Sequence, residues 1–121
     1  MSNWSRSLDG VQTLSEVSAS ASISGGTLTL NLSTAGIFYV NLNANVTTLT
    51  ISNTQPIAAS SFTIIFTADG TARSITWPAS FLWPSAAAPT LTSTNGKEDI
   101  FSFVTIDGGT TWFSFVGGQN L

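Results

Sequence analysis

Hydrophobicity along this chain alternates with a period of two, in short runs separated by turn residues, and no stretch sustains the 3.6-residue period of an amphipathic helix. In "TLTLNL", Leu28, Leu30 and Leu32 share one face while the threonines and Asn31 take the other. Successive strand side chains point to opposite faces, so such a run is a half-buried strand. The same reading applies to "IFYVNL" through Phe38, Val40 and Leu42, to "VTTLTI" through Leu49 and Ile51, and to "SFTIIFT" through Phe62, Ile64 and Phe66. Gly36, Asn43 to Asn45 and Gln55-Pro56 supply the breaks. Asp69-Gly70 predicts a tight antiparallel hairpin between "SFTIIFT" and "SITW", and Asp107-Gly108-Gly109 a second between "IFSFVTI" and "TWFSFV". Asn95-Gly96 marks a further turn.

Seven or eight short strands in this arrangement predict an all-β fold, an antiparallel β-sandwich of jelly-roll-like character. Residues 1–26 are Ser-rich, weakly patterned and end at Gly25-Gly26, which predicts a polar N-terminal arm or irregular edge ahead of a sandwich domain at 27–121. No fixed-period internal repeat is visible.

A chain of 121 residues fits one domain with its own core. Only 7% of residues are charged, against about 25% in an ordinary soluble domain, so the surface must be built from hydroxyls and amides. The 42% hydrophobic content separates the chain from disordered sequences, and its longest apolar runs are only a few residues, far short of a membrane-spanning helix. Net charge is −3 and the cations are Arg6, Arg73 and Lys97 alone, which lacks the clustered basic footprint of a nucleic-acid binder. Neither nucleic acid nor membrane is expected as a partner. The opening "MSNWSRSLDG" has no basic region followed by an apolar one, so synthesis in the cytoplasm is the expectation.

Cysteine and histidine are both missing, which excludes disulfides, thiolate chemistry, zinc–imidazole sites and histidine-based triads. Glu98-Asp99 is the one adjacent carboxylate pair, but neighbours on a strand face opposite ways and both follow the Asn95-Gly96 turn. Asp69 and Asp107 precede glycines, where an Asp side chain folds back on its own backbone. No catalytic residue, metal site or cofactor is expected, and the protein reads as a non-enzyme.

The stretch "SITWPASFLWPS" sets two Trp-Pro pairs six residues apart. An exposed indole can stack on a sugar ring. Proline after each tryptophan instead favours extended backbone and removes a ladder donor, which suits a ribbon that caps the sandwich or meets another subunit. The second reading is the stronger. Trp77, Pro78, Phe81, Trp83 and Pro84, together with Phe101, Phe103, Trp112, Phe113 and Phe115 on the closing strands, form the candidate self-association or partner interface. Both faces of that closing hairpin are apolar, since Ile100, Val104, Ile106, Trp112 and Val116 alternate with the phenylalanines. A solvated sandwich strand would not look like this, so a homo-oligomer is expected. Trp4, Leu8, Val11 and Leu14 are apolar groups with no strand to join, and they mark a candidate attachment arm.

Residues 66–121, with the ordered set "ADGTAR…ITWP…WP…PTLTSTNGK…D…F…DGGTTW…F…GGQN", resemble a C-terminal β module that recurs in virion structural proteins of tailed bacteriophages, in tail-fibre-like and head-surface proteins of marine and cyanobacterial phages. The chain departs from that pattern at "TIDGG" and "SAAAP". The resemblance implies a virion component, often trimeric, whose partners are copies of itself and the major capsid protein or another virion protein. A short chain with its own Met and little beyond one module fits a head decoration (cement) protein on the capsid surface; the alternatives are a small tail or tail-fibre component in host attachment and a carbohydrate-binding module.

Overall fold

The computed structural model describes residues 16–56 and 58–121. The described chain is almost entirely β, and two sheets enclose one core, as in a sandwich. In chain order the strands are β1 (Ser18–Ala21), β2 (Thr27–Asn31), β3 (Ile37–Leu42), β4 (Thr48–Ser52), β5 (Ser60–Ala68), β6 (Phe81–Leu82), β7 (Glu98–Thr105) and β8 (Trp112–Gly118). A single 3-10 turn covers Pro84–Ala86. The alternating runs read from sequence are strands with the expected inward face: Leu28 and Leu30, Phe38, Val40 and Leu42, Leu49, and Phe62, Ile64 and Phe66 are buried, while Ile51 is half-buried and Leu32, also half-buried, falls just past the end of β2.

Connectivity differs from a jelly roll. The larger sheet has the order β1-β3-β5-β7-β8-β6, and the smaller one pairs β2 with β4. The chain steps from one sheet to the other and back, so β1, β3 and β5 lie parallel, as do β2 and β4. Val46 and Ile75 form a further parallel bridge, which extends the small sheet by one short segment. The first half of the protein is therefore a flattened β-coil. Among the named strands antiparallel pairing is confined to β5 with β7 and β7 with β8, apart from an isolated antiparallel bridge between Ser24 and Thr27, and β6 runs parallel to β8.

Two expectations are corrected here. The turn at Asp69-Gly70 exists, with Gly70 at φ 92 and the Asp69 carboxylate accepting the Thr71 N–H at 3.1 Å. It does not make a hairpin. Arg73 pairs with Asp69 at 2.6 Å, and the chain then crosses to the small sheet, where Ser74 and Thr76 bond the backbone of Val46. The second concerns residues 18–26, read as part of an arm or irregular edge: they lie at an edge, and part of them is a regular strand. β1 is an edge strand of the main sheet, and Ala19, Ala21 and Ile23 pack against the core. Its side chains are too small to register as a hydrophobic face.

Polar side chains hold the corners of the coil. Asn31 Oδ1 accepts from the Ser33 N–H, the Ser33 hydroxyl and Asn53 Nδ2, the last at 2.7 Å, so the two asparagines bond across adjacent turns. Asn53 adopts φ 60 to reach its place, a conformation asparagine tolerates better than most residues. Asn45 Oδ1 accepts the Ser74 N–H at 3.0 Å and anchors the crossing strand.

Candidate functional site

The smaller sheet faces only part of the larger one. Over β7 and β8 the inner face is covered by the ribbon from Ile75 to Leu91, of which β6 is itself a part, and the Trp-Pro pairs define its shape. Trp83 is extended at φ −109 and ψ 152, as a following proline favours. Phe81 donates its N–H to Pro78 O at 2.9 Å, and Trp112 donates to Ser80 O at 2.9 Å, which ties the ribbon to the edge of β8.

Its aromatic side chains point inward. The Trp77 ring lies 5.0 Å from Trp83, 5.8 Å from Phe81 and 5.6 Å from Phe103. Trp83 meets Phe101 and Phe103 edge-on at 5.8 and 5.9 Å. Phe62 stacks on Phe103 at 4.8 Å and meets Trp112 edge-on at 5.0 Å. Offset and edge-on contacts of this kind add to the stabilisation from burial. Phe81, Trp83, Phe101, Phe103 and Trp112 are buried, and Trp77 and Pro78 are half-buried, so these seven positions form interior and ribbon, with no flat indole platform on the surface. Pro84 is exposed at the start of the 3-10 turn.

The remaining two candidates face the other way. Register sets Val104 opposite Phe113 and Ser102 opposite Phe115, while Phe103 is opposite Ser114. Phe101 and Phe103 therefore do not share a face with Phe113 and Phe115, although the two strands carry the same Phe-Ser-Phe pattern. Phe113 and Phe115 are 41% and 53% exposed on the outer side of the sheet. Leu82, aligned with Phe113 from β6 and 49% exposed, continues this strip, and half-buried Val104 completes it. Val104 belongs to the second apolar face read in the sequence, and Leu82 to the ribbon, though neither is singled out as an interface residue. The only signal for Leu82 was its place between two inward aromatic residues.

Interior polar atoms near the strip are incompletely matched. Trp83 Nε1 and Ser114 Oγ are both buried with no hydrogen-bond partner. Elsewhere the aspartates serve structure. Asp107 Oδ1 accepts from the Thr111 N–H at 2.9 Å and the Thr105 hydroxyl at 2.8 Å, and these bonds hold its carboxyl below the usual value while fixing the β7–β8 turn. The hydrogen bond from Arg73 does the same for Asp69. Asp99 is 2% exposed. Burial raises the Asp99 carboxyl, and N–H groups of Thr92 and Asn120 with the Gln119 amide outweigh that effect and hold it below its ordinary value.

Glu98 accepts a bond from the Thr67 hydroxyl at 3.3 Å, while Asp99 points into the interior, so the two neighbours sit on opposite faces. Among the described residues no group of three or more His, Cys, Asp or Glu stands close enough to hold a metal ion. No helix among them is long and apolar enough to cross a membrane. Trp4, Leu8, Val11 and Leu14 lie outside the described residues. Comparisons with family models, curated proteins and solved structures found no match to the chain.

Proposed function

We propose that this chain is a non-enzymatic structural protein of a tailed-bacteriophage virion, a head decoration (cement) protein that binds the capsid surface and stabilises it as a homo-oligomer. The observation that carries the reading is the outer strip of Leu82, Val104, Phe113 and Phe115, an apolar face on a sheet whose inner side is already filled. Exposed apolar groups that adjoin one another mark an interaction surface, and contacts with neighbouring copies bury them. The three aspartates described above are engaged in turns and chain closure, which also accords with a structural role. The resemblance of residues 66–121 to phage virion modules supplies the phage context and the choice of three copies.

Attachment in a lattice sums many weak contacts, so a small, weakly charged surface suffices. Two measurements test the proposal. Light scattering of the isolated protein should give a mass above that of one chain, and a trimer mass fits the stoichiometry. Electron microscopy of particles carrying a labelled chain should place it on the shell in lattice copy number. Density in a few copies at the tail would identify a tail component instead, and a clean monomer would overturn self-association.

A further inference from the structure

We infer that the outer strip of Leu82, Val104, Phe113 and Phe115 is the seat for residues 1–15 of a neighbouring copy, anchored by Trp4, Leu8, Val11 and Leu14. This rests on the self-association proposed above and names the element that enters the strip. Strand register makes the strip continuous: Leu82 stands beside Phe113 across β6 and β8, and Phe113 beside Val104 across β8 and β7. The core gives it no cover, because Phe81, Phe101, Phe103 and Trp112 are buried on the inner side, while Trp83 and Pro84 of the ribbon only border the strip.

The occupant is argued from the chain itself. Besides Met1, residues 1–15 carry Trp4, Leu8, Val11 and Leu14, and most of the remainder is Ser, Asn, Gln, Thr and charged groups. Fifteen residues span roughly 50 Å when extended, ample to lay several anchors across a neighbour. Their point of attachment sets the geometry of the contact. The segment joins the body just before β1, at one edge of the main sheet, and the strip occupies the opposite edge at β8 and β6. Its own strip lies four interstrand gaps away, about 19 Å, so reach alone admits either copy, and the choice of a neighbour rests on the self-association proposed above. In a ring of copies the β1 edge of one molecule abuts the β6–β8 edge of the next. A donor and an acceptor at opposite edges make a head-to-tail contact, which closes into a cyclic assembly when the rotation closes.

The test uses full-length chains altered at one partner each. The arm variant carries Trp4→Asp and Leu8→Asp; the strip variant carries Phe113→Asp and Phe115→Asp. Each alone should be a folded monomer by light scattering and melting. Mixed in equal amounts, they should form a one-to-one pair, because one retains an intact arm and the other an intact strip. An arm variant that assembles like the unmodified chain would overturn the inference and leave self-association standing. Two monomers that fail to pair on mixing would overturn it as well, and an unmodified chain that is monomeric would overturn both readings. A photo-cross-linker at position 4, placed in mixed heavy- and light-labelled unmodified copies, gives a readout independent of the charged variants. Cross-links should join position 4 of one mass to the Phe113–Phe115 peptide of the other; cross-links confined to a single mass would place the segment on its own body and overturn the exchange.

Discussion

The Asp99 carboxylate accepts the Asn120 backbone N–H at 3.0 Å through Oδ1 and the Thr92 N–H at 2.7 Å through Oδ2, so one buried side chain ties the end of the ribbon to the last residues of the chain. Gln119 Nε2 bridges the same oxygen, at 3.1 Å, and Thr90 O at 2.7 Å. Asp99→Asn removes the charge and turns one acceptor into a donor facing N–H groups. A loss of about 2 kcal/mol in denaturant unfolding is expected, the scale of hydrogen bonds to a charged group that lies buried. The folded carboxyl is held below its ordinary value. Its contribution is therefore complete above the unfolded pKa of about 3.9 and is lost as pH falls through the folded value. The Asn variant should show a shallower decline of melting temperature on acidification, since among the described carboxyls only the exposed Asp69 and Asp107 retain lowered values. An unchanged acid profile would refute the assignment.

Trp77→Ala should lower stability by about 3 kcal/mol or more, because four aromatic rings pack on Trp77 and truncation leaves a cavity between ribbon and sheet. Thermal melting beside a glycan array separates this from a sugar platform. Lost glycan binding with an unchanged melt is the contrary result.

Ser114→Ala is expected to leave stability unchanged or raise it. The Ser114 hydroxyl is buried without a partner, and removing an unsatisfied polar atom relieves its desolvation penalty. A fall of more than about 1 kcal/mol would reveal that the hydroxyl has a hydrogen-bond partner.

Gly109→Ala tests the β7–β8 turn. Gly109 sits at φ 93, and an added Cβ would stand 3.0 Å from Thr54 Cγ2. Left-handed backbone alone costs about 1–2 kcal/mol for a residue with a side chain. Gly96→Ala, at φ 83 with open space around it, is the control for that backbone effect. Gly109→Ala should melt lower than Gly96→Ala by the contribution of the Thr54 contact.

Strand positions and inward faces were legible because alternation in runs such as "IFYVNL" depends only on local spacing. Pairing was not. β1 and β3 are offset by 19 residues, β2 and β4 by 21, and β3 and β5 by 26, so the coil leaves no fixed period in the sequence. The strip divided for a related reason. Whether Phe103 shares a face with Phe113 or with Ser114 depends on the hairpin register, and one residue of slip exchanges the two faces. "ITWPASFLWP" was legible as an extended ribbon that caps the core or meets a neighbour, since its prolines fix extended backbone, but not that Trp77, Phe81 and Trp83, counted with the interface, turn inward. Asp99 was legible only as one carboxylate of a pair, because its partners lie seven residues before it and about twenty after.

A coil can lengthen by whole turns. β1 to β5 are laid down by the same step from sheet to sheet, while β7 and β8 close only one edge of β5. An insertion of one complete turn in the first half would widen each sheet by a strand, about 4.8 Å, and leave the ribbon and the closing hairpin in place. Width in that half and the outer apolar strip in the other are thus separable: a chain one turn longer would present the same outer edge.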